Sequence, residues 1–164
     1  MGALHTTRID LPEDRRKALV DLLNARLADG FDLFSQTKQA HWNVKGMDFI
    51  QLHELFDDLA GSIRGHVDSI AERATALGGL ARGTARMAAA ISSIDEYPDD
   101  VLSGAEHVAA LAERYATFGA AVRTAIAESE DLGDADTADL FTEVSRDVDK
   151  HLWFLEAHLQ SDDR

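Results

Sequence analysis

Apolar residues recur along this chain at three- and four-residue steps, and nowhere do they alternate at every second position. Leu19, Leu22, Leu23, Leu27, Phe31 and Phe34 mark an amphipathic helix from Pro12 to about residue 40. Proline suits that start, because its missing N–H would find no partner in a first turn. The stretch NVKGM breaks the pattern. Asp48, with Gln51 three residues on, then predicts a capped second helix over about 49 to 77, stopped by Gly78-Gly79. Its apolar residues Phe56, Leu59, Ile63, Val67, Ile70 and Leu77 share one arc. Residues 80 to 102 form a long connection, with a short helix in TARMAAAIS and a break at Tyr97-Pro98. Ser103 and Glu106 make a capping box for a third helix to about 130. EDLGDADT is a turn, and a fourth helix covers roughly 137 to 159.

Short turns join antiparallel neighbours, whereas a connection of some twenty residues can cross a bundle and join parallel helices. Short, long, short is the order of a ferritin-like bundle. The expected fold is therefore all-α: a ferritin-like four-helix bundle with a short extra helix in the crossover. A plain up-down bundle with a decorated loop is the alternative. One domain over 12–160 is expected, with a short tail at 1–11 and another at 161–164.

Composition removes several function classes. The chain has no cysteine, which excludes disulfides, thiolate metal sites and thiol catalysis and fits a reducing cytoplasm. No apolar run approaches the roughly 20 residues of a membrane span, so no membrane partner is expected. Thirty acidic residues against 16 basic ones leave a net charge of −14, spread along the chain, which repels nucleic acid and attracts cations.

The second helix carries the candidate chemistry. With His53 as origin, Asp57, Asp68 and Glu72 fall within about 100° on one stripe, opposite the apolar arc. The His53/Asp57 and Asp68/Glu72 pairs lie about 22 Å apart along the axis, so no single ion touches both. Two copies packed antiparallel would bring the first pair of one against the second pair of the other, with a twofold axis near residues 62 and 63. Gly61, Ser62 and Gly65 stand there and permit close approach. His41 can join the cluster across the Gly46 turn. Imidazole with carboxylates and no sulfur suits iron, manganese or zinc. No Glu is followed by His three residues later, so a di-iron site inside one bundle is not expected.

The segments TKQAHWN, LHELFDD and HVDSIAERATALGG resemble the Dps family of dodecameric mini-ferritins. The likeness continues through ERYA and DADTADLFTEVSRDVDKHLWFLE, and so covers nearly the whole chain from about residue 12. This resemblance implies a homo-oligomer of twelve subunits that oxidises Fe(II), preferably with hydrogen peroxide, at twofold interfaces and stores ferric mineral inside. It would act in the cytoplasm and protect against oxidative stress. It implies metal ligands at His41, His53 and Asp57 of one chain, with Asp68 and Glu72 of its partner. Lys38 would orient the site, Trp42 beside it would intercept stray radicals, and Asp134 and Asp139 would line pores for iron entry. Helix capping by Asp134 or Asp136 is compatible with that role. His66, His107, His151 and His158 are expected to be structural, with His66 at a surface or interface.

Family members that bind DNA do so through Lys-rich extensions, whereas the residues before Pro12 carry one side-chain base, Arg8, and the chain ends in QSDDR. A DNA-binding protein and an inert helical scaffold remain the alternatives to an iron-oxidising store. DNA is an unlikely partner for so acidic a chain. In a mobility-shift assay at neutral pH and moderate salt, without divalent metal, the protein should leave duplex DNA unshifted at micromolar concentration; a tight complex there would refute this reading.

Overall fold

The computed structural model describes residues 4–160; residues 1–3 and the expected tail at 161–164 lie outside them. It contains five helices: α1 (Glu13–Asn43), α2 (Phe49–Ala76), α3 (Ala85–Ile91), α4 (Gly104–Asp131) and α5 (Ala135–Leu159). The long helix α1 packs along α2 and α4 along α5, while α3 lies on α1. The architecture is the expected all-α bundle of four long helices, with the short helix in the crossover. Among the described residues the one extended pairing is an isolated bridge between Lys45 and Ser103. Among the described residues no helix is long and apolar enough to cross a membrane.

The core is built from the arcs that the periodicity marks. Leu19, Leu23 and Leu27 of α1 are buried against Phe56, Leu59, Ile63 and Ile70 of α2, and Tyr115, Phe118, Phe141, Val144 and Leu155 close the other side. Each large apolar side chain so buried contributes about 1.5–3 kcal/mol. Three α1 positions depart from expectation, Leu22 among them as a half-buried residue. Phe31 and Phe34 are half-buried and meet edge to face at 6.3 Å, whereas Leu33 is fully buried.

Besides α2, helix α1 lies against both α4 and the crossover. Its second buried face is polar. Asn24 donates to the Leu80 carbonyl at 3.0 Å and accepts the Arg82 N–H at 2.8 Å. Asp29 accepts the Ser93 N–H at 2.7 Å and its hydroxyl at 3.0 Å, and pairs with Arg26 at 2.8 Å. Gln36 donates to the Asp95 carbonyl at 3.0 Å, and Arg114 to the Glu96 carbonyl at 2.7 Å. Buried backbone groups need partners, and a crossover that is mostly irregular finds them in these side chains. A search for apolar periodicity passes over all of them.

Helix ends follow local chemistry with two exceptions, Asp48 and Asp134, the second standing at the start of α5 without a side-chain cap bond. Ser103 and Glu106 form the expected capping box, and Thr84 caps α3. The box expected at Asp48 and Gln51 does not form. Asp48 has φ −95° and ψ 21° and makes no side-chain cap bond, whereas Ser103 and Thr84 have the extended backbone that capping needs. The Phe49 N–H is taken instead by the Gly46 carbonyl at 3.2 Å. Both α2 and α4 stop in a Schellman turn. The Gly79 N–H reaches Ala74 and the Gly78 N–H reaches Thr75, at 3.0 and 2.9 Å, with Gly78 at φ +89°. The chain before α1 docks on this turn: the His5 N–H donates to the Gly78 carbonyl at 2.8 Å, and Leu4, Ile9 and Leu11 pack on the core.

Gly78 therefore meets two demands, a left-handed backbone and room for His5. Its replacement by Ala places a Cβ against the His5 carbonyl oxygen. Urea unfolding at fixed protein concentration should show Gly78→Ala destabilised by about 2 kcal/mol; an unchanged midpoint would remove this role from the turn.

Candidate metal centre

The end of α1 and the start of α2 bring two histidines face to face. Their rings stack with centroids 3.7 Å apart and planes at 21°. His41 Nδ1 lies 2.7 Å from the His53 carbonyl oxygen, and His53 Nδ1 lies 2.8 Å from the His41 carbonyl oxygen. A carbonyl only accepts, so each Nδ1 carries the hydrogen, and the nitrogen that can offer a lone pair to a metal ion is Nε2. That is the tautomer and the second-shell bond of a metal-ligating imidazole. Phe49, one turn before His53, packs on the His53 ring at 5.1 Å.

Asp57 stands one turn beyond His53, exposed to solvent. Lys38 Nζ lies 2.5 Å from its Oδ1. That hydrogen bond, aided by the Lys38 charge and the two histidines, holds the Asp57 carboxyl below its ordinary pKa. The side chain is therefore ionised at neutral pH. Lys38 also sits 5.8 Å from the centre of the Trp42 ring, which is 64% exposed. His41, His53, Asp57, Lys38 and Trp42 thus form one group.

Asp68 and Glu72 do not join it within the chain. Both are exposed toward the far end of α2, and among the described residues no three His, Asp or Glu converge to hold an ion. Between the two groups the helix is bare: a Cβ at Gly61 or Gly65 would touch nothing. Asp68 borders a hollow of about 550 Å³ with Leu27, Phe31, Arg64 and Gly65. Arg64, a cation beside an expected ligand, is a feature that the carboxylate stripe did not reveal.

The two expected pore carboxylates part company. Asp139 is exposed. Asp134 is 4% exposed, and both its oxygens accept from Arg73 Nη2 at 2.8 Å, with the Thr137 hydroxyl as a further donor. Burial alone would push its pKa up, but Arg73 and Thr137 outweigh burial and hold it below the usual carboxylate value. This carboxylate joins α2 to the start of α5. The outlying histidines are also placed. His66 is buried rather than at a free surface, with Nε2 2.9 Å from Asp147 of α5. His151 is buried edge-on to Tyr115, His107 is buried beside Tyr97, and His158 bonds the Phe154 carbonyl.

The family described as the ferritin-like domain matches residues 20–164. A protein of Agrobacterium fabrum named "DNA protection during starvation protein" is 45% identical over 156 residues, covering 95% of this chain and 96% of its own. The chain belongs to the Dps family. An archaeal Dps homologue from Halobacterium salinarum superposes with a TM-score of 0.92 at 30% identity, over 98% of this chain and 90% of that one. The Dps of Mycobacterium smegmatis does so with a TM-score of 0.92 at 32% identity, over 97% and 96%. The all-α, ferritin-like fold with its extra crossover helix is thereby shown for this Dps chain as well.

The Arg73–Asp134 pair carries a pH signature. A carboxyl with a depressed folded pKa stabilises fully above its unfolded pKa of about 3.9, and that contribution fades as pH falls through the folded value. Arg73→Ala should lose about 3 kcal/mol at pH 7 by stranding a buried carboxylate. Unfolding curves of variant and parent should converge below about pH 4; a constant gap across pH would detach the effect from Asp134.

Proposed function

We propose that this protein is a ferroxidase and iron store that uses hydrogen peroxide to oxidise Fe(II) at sites shared between two copies. The observation that carries this reading is the reciprocal His41–His53 bonding, which leaves two adjacent imidazoles with free Nε2 atoms beside an ionised Asp57. Asp68 and Glu72 of a second copy, packed antiparallel along α2, would supply the missing carboxylates. Gly61 and Gly65, open on that face, permit the approach. The donor set of nitrogen and carboxylate oxygen fits Fe(II), and zinc or manganese at the same place would compete with it.

Each residue then has a definite task. His41 and His53 bind through Nε2 without rotating, because their Nδ1 bonds set the ring planes beforehand. Asp57 and the partner's Asp68 and Glu72 neutralise the incoming charge and bridge toward a second ion. Lys38 would release Asp57 as iron arrives, which would free its ammonium to donate a hydrogen bond elsewhere in the site. Two ferrous ions held together deliver two electrons and take peroxide to water, whereas a lone ion releases hydroxyl radical. Iron at this site is substrate, and ferric mineral would collect inside a closed oligomer, a dodecamer in this reading. Asp139, exposed near the start of α5, is the pore carboxylate that this reading retains. Relatives are named for DNA protection. Removal of Fe(II) and peroxide in the cytoplasm supplies protection without contact, as suits a chain of net charge −14.

Shared sites make a complementation test available. His41→Ala and Asp68→Ala should each lower Fe(II)-dependent peroxide consumption by about 100-fold or more. In a mixed dimer of the two variants, one site combines both substitutions and the other carries neither. Randomly mixed subunits should therefore regain about a quarter of the parent rate. Recovery to no more than the level of either variant would place the whole site within one chain and overturn the reading.

A further inference from the structure

We propose that Tyr97 and His107 form a proton-coupled redox pair that takes up single oxidising equivalents escaping from the iron reaction, a role that rests on the ferroxidase reading above. The Tyr97 hydroxyl lies 2.7 Å from His107 Nδ1, and the two rings are within 12° of parallel. His107 is 2% exposed, and its Nε2 has no partner in full hydrogen-bond geometry. Burial holds the ring below the usual histidine pKa, against the opposing pull of the Asn43 carbonyl and Glu106. It is therefore neutral at pH 7, and the tautomer with its hydrogen on Nε2 is the one that accepts from the phenol. Nδ1 is left as the acceptor for the phenol.

The chain has two tyrosines, and the second shows what is special about the first. Tyr115 is fully buried, and its hydroxyl meets only the Thr37 hydroxyl, at 3.3 Å. An alcohol is too weak a base to receive a phenol proton, so Tyr115 cannot shed one when it loses an electron. Tyr97 can. The Arg114 guanidinium, 5.6 Å from the Tyr97 ring centre, disfavours a charged radical cation, so electron and proton must leave together. Position links the pair to the iron chemistry. Tyr97 and Trp42 line one cleft of about 680 Å³, and Asn43, beside His107, lies two residues past His41.

The steps balance. A lone Fe(II) and hydrogen peroxide give Fe(III), hydroxide and hydroxyl radical. That radical takes one electron from the Tyr97 phenol, directly or through Trp42, and becomes hydroxide. The phenolic O–H bond breaks, its proton passes to His107 Nδ1, and a neutral phenoxyl radical remains. A later Fe(II) returns the electron, His107 returns the proton, and the O–H bond re-forms. With two protons from solvent the sum is two Fe(II) and one peroxide to two Fe(III) and two waters.

The test mixes the intact oligomer with limiting Fe(II) and then peroxide, with freeze-quench electron paramagnetic resonance run beside stopped-flow peroxide loss. A phenoxyl signal is expected that narrows with ring-deuterated tyrosine, persists in Tyr115→Phe and is lost in Tyr97→Phe. His107→Phe should slow its formation by about 100-fold, as loss of a positioned base does. An iron-free arm oxidises the same proteins with photo-generated ruthenium(III) tris-bipyridine, and should give the same Tyr97 and His107 dependence. A signal in that arm without peroxide turnover in the first would sink the ferroxidase reading and leave the pair standing. A deuteration-insensitive signal in the unsubstituted protein, equal signals in Tyr97→Phe, or an unchanged rate in His107→Phe would overturn the proposal.

Discussion

Two side chains at the tip of one helical hairpin each hold the other's backbone. His41 and His53 exchange Nδ1–carbonyl bonds across the turn between α1 and α2, and everything proposed for the site presumes that this exchange is in place. It ties the last turn of one helix to the first turn of the next and sets both ring planes. It also selects the tautomer that leaves Nε2 bare. Ligation of a metal ion by these two imidazoles would then need no ring rotation, which is the advantage of a preorganised first shell. Gly46, at φ +117°, gives the turn a backbone that an L side chain would resist.

The same economy recurs wherever the irregular parts of the chain meet the helices. Asn24, Asp29 and Gln36 on α1, with Arg114 on α4, satisfy the carbonyls and N–H groups of the crossover. Arg73 and Asp134 do comparable work between α2 and the start of α5. These buried polar contacts cost desolvation and are stable only because nearly every group is paired. Their effect is to hold the irregular stretches of the crossover in place through directed bonds. The Tyr97–His107 bond belongs to this lattice and lies beside the last turn of α1.

The face of α2 that carries Asp57, Asp68 and Glu72 is the counterpart. It is exposed, bare at Gly61 and Gly65, and acidic in a chain that is acidic throughout. A solvated helix face has no need of two glycines in mid-helix, where each costs about 1 kcal/mol relative to alanine. A close helix-to-helix approach does. The helix therefore has one face for its own core and one whose composition makes sense when another helix lies against it.

Much of this was legible in the order of residues. Helix positions, the crossover, the capping box at Ser103 and the carboxylate stripe follow from local rules of periodicity and termination, which depend on neighbours within one or two turns. What stayed hidden involves partners far apart in sequence. Periodicity places Phe31 and Phe34 in the core, whereas Leu33, Gln36 and Thr37 are the buried ones, Gln36 on the Asp95 carbonyl of the crossover and Thr37 on Tyr115 of α4. Asp134 read as a free carboxylate until Arg73, sixty-one residues away, was found on it. His41 and His53 were recognisable as a pair, but which nitrogen each presents was decided by a carbonyl on the opposite helix. Sequence specifies which chemical groups exist and which helix face bears them; the packed fold alone determines which of those groups are already occupied, because hydrogen bonds and ion pairs are settled by distance in space.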